Sequence, residues 1–206
     1  MEGQKDSEQG RSATGRAVAL AHLLQQECKN LLELYVSAYL LTSVSTVLLL
    51  LIQKERESFL SNHVPEGERL LIFDLCTDTP SSEQRVGHAH SALSRCLEML
   101  ECLIAREVAE LGEDIEGEYE NVRNTVKDRL GHLLHSTGAL LENGEDVCAP
   151  LPDFQCVQGL DEVEGTGSFA MKLWTFKVLL ELSHWSDMAA HALRLLHSEQ
   201  ENEQEF

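Results

Sequence analysis

Apolar residues recur at intervals of three and four along four separate stretches of the chain. This spacing puts them on one face of an α-helix, so it predicts four amphipathic helices. The predicted helices run from about 15 to 40 or beyond, from about 81 to 111, from about 118 to 141 and from about 168 to 198. The fourth stripe is the clearest and comprises Met171, Trp174, Val178, Leu182, Trp185, Ala189, Ala192 and Leu196. The chain is therefore predicted to be all-α.

A polar line is expected alongside that stripe on the fourth helix. It comprises Lys177, Glu181, His184, Asp187, His191 and Arg194. Helix boundaries are marked as well. Ser81 and Gln84 have the spacing of a capping box, Gly112 suits a left-handed stop, and Ser168 suits an N-cap. These signals predict one helical domain over 15–198, with a polar tail at 1–14 and an acidic tail at 199–206.

The lengths of the connections predict how the helices are arranged. Only residues 112–117 join the second and third helices, which are therefore expected to be antiparallel neighbours. The first and third connections are much longer. A 30-residue helix is about 45 Å long, and an extended chain covers that distance in roughly 14 residues. Two long crossovers and one short turn predict a four-helix bundle with up-up-down-down topology.

The charge of the chain narrows the classes of partner. Its 206 residues carry a formal net charge of -19, while the hydrophobic fraction of 43% is ordinary for one globular domain. Such a negative surface repels phosphate backbones and anionic lipids, which argues against nucleic-acid binding. A partner with a basic face is favoured instead.

Six cysteines leave the state of their thiols open. They are Cys28, Cys76, Cys96, Cys102, Cys148 and Cys156. Their spacings match no zinc pattern. Cys96 and Cys102 are expected on different faces of the second helix. Cys148 and Cys156 flank a short loop, so they are expected either to bridge in an oxidising compartment or, with the others, to stay as thiols.

An uncharged segment from 34 to 52 admits two interpretations. Its length approaches the roughly 20 residues that cross a bilayer, which allows a membrane anchor. Its five Ser and Thr residues and its amphipathic start favour instead a buried crossover after the first helix. Residues 1–15 are polar and lack the apolar core of a secretory signal.

No arrangement of residues in the sequence predicts catalysis. His88 and His90, and also His132 and His135, are close enough to pair, but neither pair has a carboxylate or thiolate at ligand spacing. They are expected on solvated helix faces. There is no Gly-rich phosphate loop and no Gly-x-Ser-x-Gly elbow. No enzyme activity, cofactor or metal is predicted.

The sequences of the first and last helices resemble one known family. The run SFAMKLWTFKVLLELSHW at 168–185, with AHLL at 21–24 and LLELYV at 31–36, is similar to the ciliary neurotrophic factor and cardiotrophin group of the interleukin-6 family. Helices two and three agree in position and pattern alone. The resemblance implies a secreted four-helix cytokine that brings together cell-surface receptors.

The resemblance also implies which residues touch those receptors. Phe169 and Lys172 match a Phe-x-x-Lys motif that contacts the leukaemia inhibitory factor receptor in the family. His191 and Arg194 match part of the surface that meets a non-signalling α-receptor, although Asp187 and Met188 depart from that pattern. The faces of helices one and three would meet the common signal-transducing receptor, glycoprotein 130.

Two classes of function follow from these observations. The first is a receptor-binding cytokine that acts outside the cell without a conventional signal peptide and is stored in the cytoplasm. The second is an intracellular or membrane-anchored helical adaptor, which the polar N-terminus and the 34–52 segment would fit.

Overall fold

Four long helices make up most of the part of the chain that the structure describes. The computed structural model describes residues 2–37, 70–71, 80–111, 117–141, 156 and 168–202. The helices are α1 (Glu2–Tyr35), α2 (Ser82–Leu111), α3 (Glu118–Leu141) and α4 (Ser168–Asn202), and the described residues contain no strand. The predicted all-α, four-helix class is therefore confirmed.

The start of α2 is fixed by the capping box that the sequence predicts. The Ser81 hydroxyl accepts a hydrogen bond from the Gln84 backbone N–H at 3.1 Å. In return the Gln84 amide oxygen accepts the Ser81 backbone N–H at 3.0 Å. These two bonds satisfy donors that have no partner within the helix. The bounds of α3 also agree with those predicted.

The outer helices are longer than predicted. α1 begins at Glu2, although the periodicity places its start near Gly15 and assigns 1–14 to a tail. α4 continues to Asn202, into the predicted acidic tail. Apolar periodicity reports the packed face alone, so polar turns that extend a packed helix give no signal. The predicted extension of α1 to 40 or beyond lies, from residue 38, outside the described residues.

The core forms between the apolar stripes of all four helices. All eight residues of the predicted α4 stripe are buried. The largest side chains that are fully enclosed are Trp174, Leu24, Leu31, Leu93, Leu100, Leu103, Leu130, Leu133, Leu179, Leu182 and Leu193. Every helix contributes to this set, so the core is continuous from α1 to α4.

Each helix packs against two neighbours. α4 contacts α1 and α2, and α3 also contacts α1 and α2. The α1–α4 contacts run in opposite directions along the two helices. Gln25 donates to Asp187 at 2.6 Å, and the Tyr35 hydroxyl donates to the Lys172 carbonyl oxygen at 3.0 Å.

The helix pairs that involve α3 are antiparallel as well. Arg129 and Glu27 lie 2.6 Å apart between α3 and α1, as an ion pair that lacks hydrogen-bond geometry. On the α2 side, the His90 ring nitrogen Nδ1 lies 2.7 Å from the Thr137 hydroxyl. Further along, Lys127 pairs with Glu101 at 3.2 Å.

Three polar side chains are buried in whole or in part. Glu181 of the polar line of α4 is buried, and it accepts the Leu70 backbone N–H at 2.9 Å and the Trp185 indole N–H at 3.2 Å. His88 and His90 were expected on solvated faces but are partly buried, and that burial lowers the pKa of both. His132 and His135 are exposed as predicted.

None of the helices that the structure describes is both long enough and apolar enough to cross a membrane. The apolar 34–52 segment contributes its first residues to the end of α1, with Leu34 partly buried and Tyr35 buried against the bundle. From residue 38 onward this segment lies outside the described residues.

We expect Ser81→Ala to lower the free energy of unfolding by about 1 kcal/mol, because the variant loses the hydroxyl that caps α2. Chemical denaturation followed by circular dichroism measures the change. Ser91→Ala is the matched control. The Ser91 hydroxyl bonds back to the Gly87 carbonyl oxygen at 3.1 Å inside the same helix, and its loss is expected to change stability by less than about 0.5 kcal/mol. Equal effects of the two changes would contradict the capping role.

Candidate functional site

The first turn of α4 carries Phe169 and Lys172, the Phe-x-x-Lys motif for which the resemblance implies a receptor contact. Phe169 lies in this turn, and its side chain is outside the described part of the structure. Lys172 is partly exposed. Its carbonyl oxygen accepts the hydrogen bond from Tyr35 of α1. The backbone at the start of α4 is therefore held from the neighbouring helix, while part of the Lys172 side chain remains at the surface.

Tyr35 belongs to a group of polar residues where the ends of α1, α2 and α3 meet. Its ring packs against that of Tyr119, with the centroids 5.6 Å apart. The Tyr119 hydroxyl donates to Glu107 at 3.3 Å, and Arg123 forms an ion pair with the same carboxylate. The Arg123 guanidinium also lies 5.5 Å from the centroid of the Tyr119 ring. We call Tyr35, Glu107, Tyr119 and Arg123 the bundle-end cluster.

The charge of Arg123 stabilises the Glu107 carboxylate within the bundle-end cluster. Burial raises the pKa of Glu107, while the charge of Arg123 and the hydrogen bonds from Tyr119 and Arg123 oppose that shift. Burial also raises the pKa of Tyr119, so its hydroxyl stays protonated and can donate. A carboxylate in this position is tolerated because Arg123 compensates its charge.

A disulfide lies beside this cluster. Cys102 of α2 is bonded to Cys156, with their Cα atoms 5.7 Å apart, which is an ordinary spacing for a disulfide. The Arg106 guanidinium also donates to the Cys156 carbonyl oxygen at 3.0 Å. The expectation that Cys156 bridges to Cys148 or stays a thiol is therefore wrong. Cys102 shares a helix face with Arg106. Its bond to Cys156 joins residues that are 54 positions apart in sequence, and loop spacing does not reveal such a pairing.

His191 and Arg194 lie near the other end of α4. Both are exposed, and the Arg194 guanidinium donates to the Ala190 carbonyl oxygen at 3.0 Å. Along a helix axis, Lys172 and His191 are separated by about 29 Å. The four residues that the resemblance implies therefore lie in two groups at separate positions along one helix.

Two large apolar side chains are exposed among the described residues, and each lies on a different face. Met188 of α4 is 42% exposed and lies one turn before His191. Leu23 of α1 is 45% exposed and lies one turn before Glu27, the ion-pair partner of Arg129 on α3.

Asp187 has a structural role between α4 and α1. Its carboxylate accepts a hydrogen bond from the Gln25 side-chain amide and forms an ion pair with Lys29, whose ammonium lies 3.1 Å away. Beneath these residues, burial raises the pKa of Cys28 to about 12, so the thiol stays protonated. The departure of Asp187 from the family pattern is thus accounted for by packing within the bundle.

No metal centre is found among the described residues. No group of three or more His, Cys, Asp or Glu side chains there is arranged to hold a metal ion. The cleft between α2 and α3 has a volume of about 410 Å³ and is open to solvent. Its lining consists of Leu97, Glu101, Lys127, Asp128, Gly131 and His132.

No protein family, curated protein or solved structure matches this chain.

We expect Arg123→Met to lower the free energy of unfolding by about 3–5 kcal/mol at pH 7, because it leaves the Glu107 carboxylate buried without a cation. The pKa of Glu107 in the folded state then rises further above its unfolded value. Stability from such a group is present at low pH and is lost as pH rises through the folded pKa. The destabilisation is therefore expected to be smaller at pH 5 than at pH 7.

Denaturant unfolding at both pH values measures this difference. Arg123→Met combined with Glu107→Leu is the control, and we expect it to recover most of the lost stability at pH 7. An effect of Arg123→Met that does not change with pH and persists in the double variant would show that packing, rather than the buried charge, is responsible.

Proposed function

We propose that this chain is a receptor-binding cytokine of the ciliary neurotrophic factor and cardiotrophin group. In this proposal it joins the leukaemia inhibitory factor receptor to glycoprotein 130 and so activates the kinases and transcription factor downstream. One observation carries most of the weight. The Phe-x-x-Lys turn begins α4, and the Tyr35 hydroxyl holds its backbone in place while Lys172 stays partly exposed.

The proposed topology is up-up-down-down with two long crossovers. The antiparallel contacts of α1 with α4, of α1 with α3 and of α2 with α3 support it. Ser82 at the start of α2 donates to Glu199 near the end of α4 at 2.6 Å, which supports the remaining pair. Long links over 36–81 and 142–167, against a short link over 112–117, fit two helices up and two down.

Phe169 and Lys172 are the proposed contacts with the leukaemia inhibitory factor receptor. An aromatic side chain beside a cation is a common composition for the centre of a protein interface. The Tyr35 bond reaches the Lys172 carbonyl group and not its ammonium, so it orders the turn without depending on the lysine side chain. Fixing the turn before binding reduces the entropy that association costs.

Glycoprotein 130 is proposed to bind the α1/α3 face. The exposed side chain of Leu23 supports this assignment, because it offers an apolar anchor beside the Glu27–Arg129 ion pair that joins α1 to α3. An α-receptor is proposed for the end of α4, where His191, Arg194 and the exposed Met188 lie together. The two faces and the α4 turn are separate surfaces on one bundle.

The proposed site of action is extracellular. The Cys102–Cys156 disulfide supports this, because disulfides persist in oxidising surroundings and are rare in the reduced cytosol. The net charge of -19 supports a protein partner with a basic face over a nucleic acid or an anionic membrane.

We expect Lys172→Ala to raise the concentration needed for half-maximal signalling by at least about 30-fold, the effect of losing a hot spot worth about 2 kcal/mol. Phe169→Ala combined with Lys172→Ala is expected to abolish the response. The readout is phosphorylation of the downstream transcription factor in cells that bear the leukaemia inhibitory factor receptor and glycoprotein 130.

Lys177→Ala is the matched control, since Lys177 is a partly exposed lysine on the same helix outside the proposed turn. It should leave the response unchanged, and circular dichroism should show all variants folded. Full signalling by the double variant would refute the assignment of Phe169 and Lys172. No signalling by the unmodified chain on these cells would refute the proposed function itself.

A further inference from the structure

The Cys102–Cys156 bond closes a covalent ring of chain that includes α3. Its two cysteines are separated by 54 positions of sequence, and the whole of α3 (Glu118–Leu141) lies between them. α4 begins at Ser168, shortly after the second cysteine. The bond therefore ties α2 to the chain that enters α4. Arg106 makes a further contact of α2 with Cys156, by donating to its carbonyl oxygen.

A chain of contacts joins this bond to the first turn of α4. Arg106 precedes Glu107, which binds Tyr119 and Arg123 of α3. Tyr119 packs against Tyr35, and the hydroxyl of Tyr35 holds the carbonyl oxygen of Lys172. Arg106 and Glu107 are joined through the chain itself, and each other step is a direct contact between described residues. The disulfide and the Lys172 turn thus lie at opposite ends of one connected group.

We propose that the Cys102–Cys156 pair is a redox switch that controls the order of the first turn of α4. With the bond formed, α2 and α3 hold the bundle-end cluster in place, and Tyr35 keeps the turn anchored. With both thiols reduced, the covalent tie is lost, and hydrogen bonds to the Cys156 carbonyl oxygen from Arg106 and from the Cys102 thiol are left to hold residue 156 on α2.

Helix ends open more readily than helix centres, since their groups have fewer backbone hydrogen bonds. The turn that contains Lys172 is the first turn of α4, and Tyr35 anchors it from outside the helix. If the bundle-end cluster loses order, the backbone hydrogen bonds of this turn should therefore open before those in the middle of α4, where Leu182 and Ala189 are buried.

The switch needs an oxidant, and a small disulfide such as oxidised glutathione supplies it. The thiolate of Cys156, which is partly exposed, attacks one glutathione sulfur, forming a mixed disulfide and releasing one glutathione thiol. The thiolate of the buried Cys102 then attacks the Cys156 sulfur and releases the second glutathione. Two cysteine thiols are oxidised, one glutathione disulfide is reduced to two thiols, and the two protons end on glutathione.

Hydrogen exchange of the whole chain tests the switch directly. We expect the amides of residues 172–178 to exchange at least about 10-fold faster in reduced glutathione than in oxidised glutathione, while amides at 186–193 change little. Cys102→Ser combined with Cys156→Ser should show the fast rate in both buffers. The matched control is Cys28→Ala combined with Cys96→Ala, which keeps the pair and should still respond.

Tyr35→Phe tests the route. It removes the hydroxyl that binds Lys172 and keeps the ring against Tyr119, so the turn should exchange fast in both buffers. Peptide mapping by mass spectrometry should find Cys102 linked to Cys156 in the oxidised sample. Linkage of Cys156 to another cysteine, or equal exchange at 172–178 in both buffers, would overturn the switch.

A biological role for the switch rests on the proposed function, because it would couple oxidation outside the cell to receptor binding by Lys172. The exchange experiment does not depend on any receptor. A redox response in exchange without any signalling would contradict the proposed function and leave the switch standing. Signalling with equal potency and equal exchange in both redox states would remove the switch and leave the function standing.

Discussion

Burial of one apolar stripe along α4 against both α1 and α2 is the constraint on which the other features of the structure depend. Trp174, Leu182 and Trp185 lie on this stripe and are almost wholly removed from solvent. Each large apolar side chain that is buried contributes roughly 1.5–3 kcal/mol. α3 then fills the remaining side by packing on α1 and α2. With the helices so arranged, their ends must meet in a small volume, and polar groups must satisfy one another there.

The candidate site forms where the ends of these helices lie close together. Tyr35 at the end of α1 reaches Lys172 at the start of α4 because the two helices run antiparallel and in close contact. Glu107 and Arg123 can be buried together because α2 ends where α3 begins. The same closeness places Cys102 within bonding distance of Cys156. The rigid core thus determines where the exposed residues lie, and a partner would recognise those residues.

The core could be predicted from the sequence because apolar periodicity reports packed faces directly. All eight stripe residues of α4, the capping box at Ser81 and both ends of α3 follow from local patterns. The polar ends of α1 and α4 gave no signal, since a polar turn that extends a helix has no stripe.

Contacts between distant parts of the chain could not be predicted. Arg123 lies on the buried face of α3, where charge usually indicates solvent, and its partner Glu107 lies on another helix. The burial of Glu181 could not be predicted for the same reason, because its partners are the Leu70 backbone and Trp185. The cysteine pairing likewise depends on how α2 lies against residue 156. One sequence carries no direct record of such pairs, and the family resemblance covers stretches of the first and last helices only.

The most direct test of the account is whether the purified chain assembles its two proposed receptors. The oxidised protein is mixed with the soluble ectodomains of the leukaemia inhibitory factor receptor and glycoprotein 130, and the mass of the complex is measured by light scattering after gel filtration. The account predicts a complex that contains the chain and both ectodomains. Leu23→Glu should lose glycoprotein 130 and retain the other receptor. Elution of the chain alone, at its own mass of 23.0 kDa, would contradict the account.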